Sequence, residues 1–109
     1  MKLIFLSLTC ADQIEANTIA RTLLEKRLVA CVKMMPITAS FIWQGTIESS
    51  NEILLLMESE ESKFKQIEQE IRVLHSYKTF VLTATTISHV SAGVAEWICE
   101  STRGAALLG

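Results

Sequence analysis

The sequence predicts an α+β sandwich, one antiparallel sheet with two main helices packed on a single face. Three observations predict it. Between Asp12 and Pro36 a helical pattern passes into a strand pattern without a breaker. A second amphipathic stripe, from Phe64 to Leu74, is flanked on both sides by apolar runs of strand length. Turn residues in the middle of the chain divide extended segments in the manner of hairpins.

Taken in order, Leu3 to Thr9 is a compact apolar run that reads as the first strand. Ala16, Ile19, Ala20, Leu23 and Leu24 then recur at spacings of three and four, the stripe of an amphipathic helix. Asp12 supplies an N-cap, and Glu15 three positions later completes a capping-box pattern. Lys26 and Arg27 fall where the negative end of the helix dipole sits. Leu28 to Val32 is an almost unbroken apolar run, interrupted by Lys33 and closed by Met34, Met35 and Pro36. Such a run reads as a strand buried on both faces.

Ser40 to Trp43 resumes extended structure, and Gln44-Gly45-Thr46 is a tight-turn or bulge signal. Ser49-Ser50-Asn51 reads as a second turn, and Glu52 to Glu58 as another apolar strand. Ser59 is placed to cap a second helix whose buried stripe is Phe64, Ile67, Ile71 and Leu74. Phe80 to Thr86 follows as a strand. A last helix starts at Ser91 and runs through Val94, Trp97 and Ile98, with Gly104 as its stop. Two split β-α-β units sharing one sheet make a ferredoxin-like sandwich with an extra β-hairpin and a C-terminal helix, a single domain over residues 1–109. The helix-free face then needs a cover, and sheet-to-sheet self-assembly supplies one.

Composition narrows the function. Half of the 109 residues are apolar and mean hydropathy is positive. No apolar run reaches the roughly 18 residues that suggest a membrane span. A net charge of −2 without a Lys/Arg cluster argues against nucleic acid. The three cysteines lack CxxC spacing; an odd count reads as reduced thiols in a cytoplasmic protein. The N-terminal apolar run is too short for a secretory core. G-x-G occurs nowhere and no nucleophile–base pair is placed by spacing, so the chain reads as non-enzymatic.

Several motifs carry a family resemblance. Glu25 to Cys31, EKRLVAC, resembles the E-(K/R)-L-A-A-C signature of the CutA divalent-cation tolerance family. Trp43 to Glu48 resembles its W-(K/E)-G-K-(I/L)-E turn, and Leu74-His75-Ser76-Tyr77 its L-H-P-Y. Glu96-Trp97-Ile98 with Glu100-Ser101-Thr102 is similar to its W-I-x-x-S-T. The resemblance implies a ferredoxin-like subunit, a homotrimer, and a cytoplasmic link to divalent metals such as copper. It also implies an architecture like that of PII signalling trimers, so a small-molecule-binding regulatory or scaffolding trimer is the alternative. The cleft between subunits would take that small molecule, or a protein partner.

The departures fall together. The family's H-P-Y-E-x-P-E reads His75-Ser76-Tyr77-Lys78-Thr79-Phe80-Val81 here, without either proline or either acid. Glu58-Ser59 stands where the family has K-T, so a charge pair joining these two places, if they meet, is dismantled. Some family members carry a strand-one cysteine ligand; the aligned residue here is Leu8. Cys10 lies two residues on, on the same strand face and about 7 Å along.

Cys10, Cys31 and His75 are the candidate metal ligands, a cysteine–histidine set that suits copper better than magnesium or calcium. Each also has a structural reading. Cys31 in an apolar strand behaves as a small hydrophobe. Cys10 sits near a helix N-terminus that would lower its thiol pKa. His75 ends a helix, where it interacts with the last carbonyls. No cofactor is required on this reading, and a divalent cation is the candidate ligand. Trp43, Tyr77, Lys78 and Trp97 are assigned to a subunit interface or cleft, with the tryptophans as buried anchors. His89 is expected at the surface.

Overall fold

The structure, a computed structural model, describes residues 2–103. Its elements are β1 (Leu3–Cys10), α1 (Gln13–Glu25), β2 (Cys31–Trp43), β3 (Thr46–Glu60), a 3-10 turn (Glu61–Lys63), α2 (Phe64–Leu74), β4 (Leu82–Thr86) and α3 (Val94–Ser101). The sheet is antiparallel with strand order β2-β3-β1-β4. That is the ferredoxin-like order expected from two interleaved β-α-β units. Among the described residues no helix is long and apolar enough to cross a membrane.

β1 is the strand around which the rest is arranged. Its side chains alternate, so Ile4, Leu6, Leu8 and Cys10 all point to one face and are buried. Across β3 they stand level with Ser59, Met57, Leu55 and Ile53. α1 covers this face with Ala16, Ile19 and Leu23, and α2 with Ile67 and Ile71. The stripe of α2 is as expected, with Phe64 and Leu74 packed at its ends. α3 is tied to the far end of β3 by the Thr102 hydroxyl, which donates to the Glu60 carboxylate at 2.6 Å.

Several boundaries differ from the sequence reading. The run from Leu28 to Val32 is not a strand buried on both faces. Leu28 and Val29 fill the core from the connection after α1, and β2 begins only at Cys31. That connection turns back at Arg27, whose φ of 57° is left-handed. β2 is an edge strand, 13 residues long and largely exposed, so Pro36 sits inside it without costing a ladder bond. Ser49-Ser50-Asn51 is not a turn: these residues remain in register with Ser40, Ala39 and Thr38. Cross-strand hydroxyl contacts, such as Ser40 to Ser49 at 2.9 Å, outweigh their turn preference.

Ser59 does not cap α2. It is still in β3, and its hydroxyl donates to the Leu28 carbonyl, holding the α1–β2 connection against the sheet. β4 starts at Leu82 rather than Phe80, and α3 at Val94 after a left-handed Gly93. The expected stop at Gly104 lies outside the described residues.

The Gln44-Gly45 turn is as read from sequence. Both residues have positive φ, 50° and 79°, which makes the two-residue connection a mirror-image hairpin turn matched to strand twist. The hairpin outgrows the sheet. β1 pairs with β3 only as far as Ile53, so among the described residues Ile37 to Glu52 form strand pairs only with each other. Replacing Gly45 by valine puts a β-branched residue in the left-handed region. We expect Gly45→Val to cost about 1–2 kcal/mol and to lower the melting temperature, with Gly45→Asn largely tolerated. Equal melting curves for Gly45→Val and wild type would contradict the turn assignment.

Candidate functional site

Three elements meet where β1 ends, α1 begins and α2 stops. Asp12 caps α1 by accepting from the Glu15 N–H at 2.8 Å. Glu15 reaches back, its Oε2 accepting from the Ala11 N–H at 2.8 Å, which completes the capping box one residue before the cap. Its other oxygen, Oε1, accepts from the Ser76 N–H at 2.7 Å. The helix-start acid thereby ties down the segment that leaves α2.

His75 caps the end of α2, its N–H donating to the Ile71 carbonyl at 2.8 Å. Its buried ring is held from both sides. Nδ1 accepts from the Tyr77 N–H at 3.0 Å, and Nε2 lies 2.9 Å from the Thr9 carbonyl. A backbone N–H can only donate, so Nδ1 is unprotonated and the proton is on Nε2, donated to Thr9. The ring is stacked on Phe80 with centroids 5.2 Å apart, and the Arg72 guanidinium lies 4.7 Å above the Phe80 ring. Phe80 is one of the departures from the family pattern, and it supplies a wall of the His75 pocket.

Cys10, Glu15 and His75 come together here: one ligand atom from each lies within 4.8 Å of the others. Two of the three were candidates from sequence. Glu15 was read only as a capping residue, and its double duty depends on where α2 ends, which spacing along α1 does not reveal. Sulfur, nitrogen and oxygen donors in one buried cluster fit a borderline cation such as copper or zinc. Two of the three donors are also already engaged, His75 at both nitrogens and Glu15 at both oxygens.

The electrostatics differ from expectation at Cys10. Its thiol pKa is not lowered by the helix start but pushed up to about 12, by burial first and then by the carboxylates of Glu15, Asp12 and Glu52. Burial alone would raise the Glu15 carboxyl, but the Ala11 and Ser76 hydrogen bonds and the neighbouring His75 outweigh it and hold it below its ordinary value. Tyr77 donates its hydroxyl to Glu52 at 3.3 Å. Burial and the Glu52 charge raise its pKa.

Cys31 is not part of the cluster. It stands level with Glu58 while Cys10 stands level with Ile53, five residues apart along β3 and on opposite faces of the sheet. The separation along the strand is about 17 Å. Nor do Glu58 and Val81 meet: across β1 the residue level with Glu58 is Thr85, and Glu58 pairs instead with Lys33 at 3.1 Å. Trp43, Tyr77, Lys78 and Trp97 are all exposed in the single chain, as is His89. The two tryptophans are therefore not buried anchors within the subunit.

Comparison with known proteins gives a consistent match. The family model for the CutA1 divalent ion tolerance protein matches residues 4–101. The chain is 35% identical to the divalent-cation tolerance protein CutA of Archaeoglobus fulgidus over 89% of its length and 95% of the relative's. It is 31% identical to that of Thermus thermophilus, over 87% and 93%. A solved structure of the periplasmic CutA of Archaeoglobus fulgidus superposes with a TM-score of 0.89 at 34% identity, covering 92% of this chain and 98% of the other. None of these matches favours the PII-like alternative.

That periplasmic structure contradicts the cytoplasmic expectation, which is withdrawn. The cysteine count does not report the compartment here. Cys10 and Cys31 lie too far apart, on opposite faces, to form a disulfide in any compartment.

Glu15 also sets an acid limit on stability. A carboxyl whose pKa is lower folded than unfolded stabilises the fold above its unfolded value, near 4.5. That contribution is lost as pH falls through the folded value. Glu15→Gln should cost about 1–3 kcal/mol at pH 7 and should flatten the loss of stability below pH 4.5. Urea melts of both proteins from pH 7 to pH 3 check this; parallel curves would show that Glu15 carries no such linkage.

Proposed function

The chain belongs to the CutA1 divalent ion tolerance protein family, and we propose that it works as a non-enzymatic homotrimer that takes a copper-like divalent cation weakly. The observation that carries the metal reading is the Cys10–Glu15–His75 cluster. Weakness follows from the same geometry. A cation entering the cluster must displace hydrogen bonds to His75 and Glu15 and remove the proton from Cys10, and each buried group left unpaired costs about 1–3 kcal/mol. The affinity that three donors would otherwise supply is reduced accordingly.

The trimer reading is supported by the β2–β3 hairpin. A two-stranded hairpin alone is marginal in water, and this one carries Ile42, Trp43 and Ile47 at 76%, 60% and 78% exposure. A second and third copy of the chain would cover them, with Trp43 as the anchor, while Trp97, Tyr77 and Lys78 remain available to the cleft between copies.

Calorimetric titration with copper tests the metal reading. His75→Ala should weaken copper by less than about tenfold, because the ligand and the bonds it has to break are lost together. A thousandfold loss in the Cys10→Ser/His75→Ala variant would show a tight site and overturn the weak-binding reading. For the assembly, sedimentation at micromolar concentration should give a three-chain species, with Trp43→Ala dissociating at concentrations at least about tenfold higher. A wild-type monomer under those conditions would contradict the trimer.

A further inference from the structure

The hydrogen bonds of His75 have a consequence for what a bound cation does to the chain around it. The ring has one proton and two nitrogens, and the Tyr77 N–H requires Nδ1 to be bare. Nε2 is the nitrogen that faces Glu15, 3.6 Å from Oε2. If a cation takes Nε2, the ring proton moves to Nδ1, where it opposes the Tyr77 N–H. If a cation takes Nδ1, it occupies the lone pair that Tyr77 uses. Either way, the Tyr77 N–H loses its acceptor.

Glu15 behaves differently. Oε2 is the oxygen on the cluster side, and it is shared with the Ala11 N–H. Oε1 is turned to the Ser76 N–H. A cation bound through Oε2 leaves Oε1 with its hydrogen bond. Two adjacent amides, Ser76 and Tyr77, are thus anchored to the same cluster through acceptors of opposite fate.

We infer that the cluster is a cation-released latch: a borderline divalent cation held by Cys10, Glu15 and His75 frees the Tyr77 amide while Ser76 stays tied to Glu15. The cation enters as M²⁺, the Cys10 thiol gives its proton to solvent and ligates as thiolate, and no oxidation is involved. Tyr77 is well placed to report the change outward. It is exposed, its ring lies 5.0 Å from His75, and its hydroxyl reaches Glu52 on the long hairpin. This inference rests on the metal reading above, and its test separates the two.

The experiment is amide hydrogen exchange by NMR on the full chain, with zinc(II) as a redox-inert probe and magnesium(II) as a hard-cation control, beside a calorimetric zinc titration. Saturating zinc should speed exchange at Tyr77 by at least about tenfold and leave Ser76 within about threefold. Magnesium should change neither. Cys10→Ser and Cys10→Ala should abolish the zinc effect, two variants guarding against one that folds poorly. Zinc binding with unchanged Tyr77 exchange overturns the latch and leaves the metal reading standing. Equal acceleration at Ser76 and Tyr77, or acceleration that persists in both Cys10 variants, also overturns it. No zinc binding at millimolar concentration overturns the latch and the metal reading together.

Discussion

His75 has two ring nitrogens, and the fold uses both. One holds the carbonyl of Thr9 near the end of the central strand, and the other holds the amide of Tyr77 just beyond α2. Glu15 does the same for the amides of Ala11 and Ser76. Two side chains thereby satisfy four backbone groups at the junction of β1, α1 and α2. These side chains fasten the segment after α2 to the end of β1 and the start of α1.

The same atoms are those a divalent cation would want. A thiol, a carboxylate and an imidazole within one ligand shell of each other look like a metal site, and chemically they are suited to one. In this structure Glu15 and His75 act as caps. On the proposed metal reading, binding and fold would compete for the same lone pairs of Glu15 and His75. The high pKa of the Cys10 thiol has the same origin, since burial beside carboxylates disfavours the thiolate.

Much of the fold was legible because period-two and period-3.6 patterns report burial directly. β1 alternates, α2 shows its stripe, and the Asp12 cap and Gln44-Gly45 turn carry their own local chemistry. What misled was apolar content without direction. Leu28 and Val29 are buried as loop residues, while Met34 and Met35 lie on an exposed edge strand, yet along the chain they form one run. Ser49 to Asn51 has turn composition but is held extended by its hairpin partner. At the site, Cys10 and His75 could be named from type and position. Glu15 could not be named as their companion, because that depends on where α2 ends, nor Cys31 excluded, because that depends on register: which residue of β3 stands opposite which residue of β1 and β2.

The protonation of His75 is the most direct point at which to test this. Nitrogen-15 NMR of the imidazole in the metal-free protein at pH 7 distinguishes the two neutral tautomers by their ring nitrogen shifts and couplings. The hydrogen bonds to Tyr77 and Thr9 require a bare Nδ1 and a protonated Nε2. Protonation at Nδ1 would mean that the Tyr77 amide is not held by the ring, and the closed junction described here would be wrong.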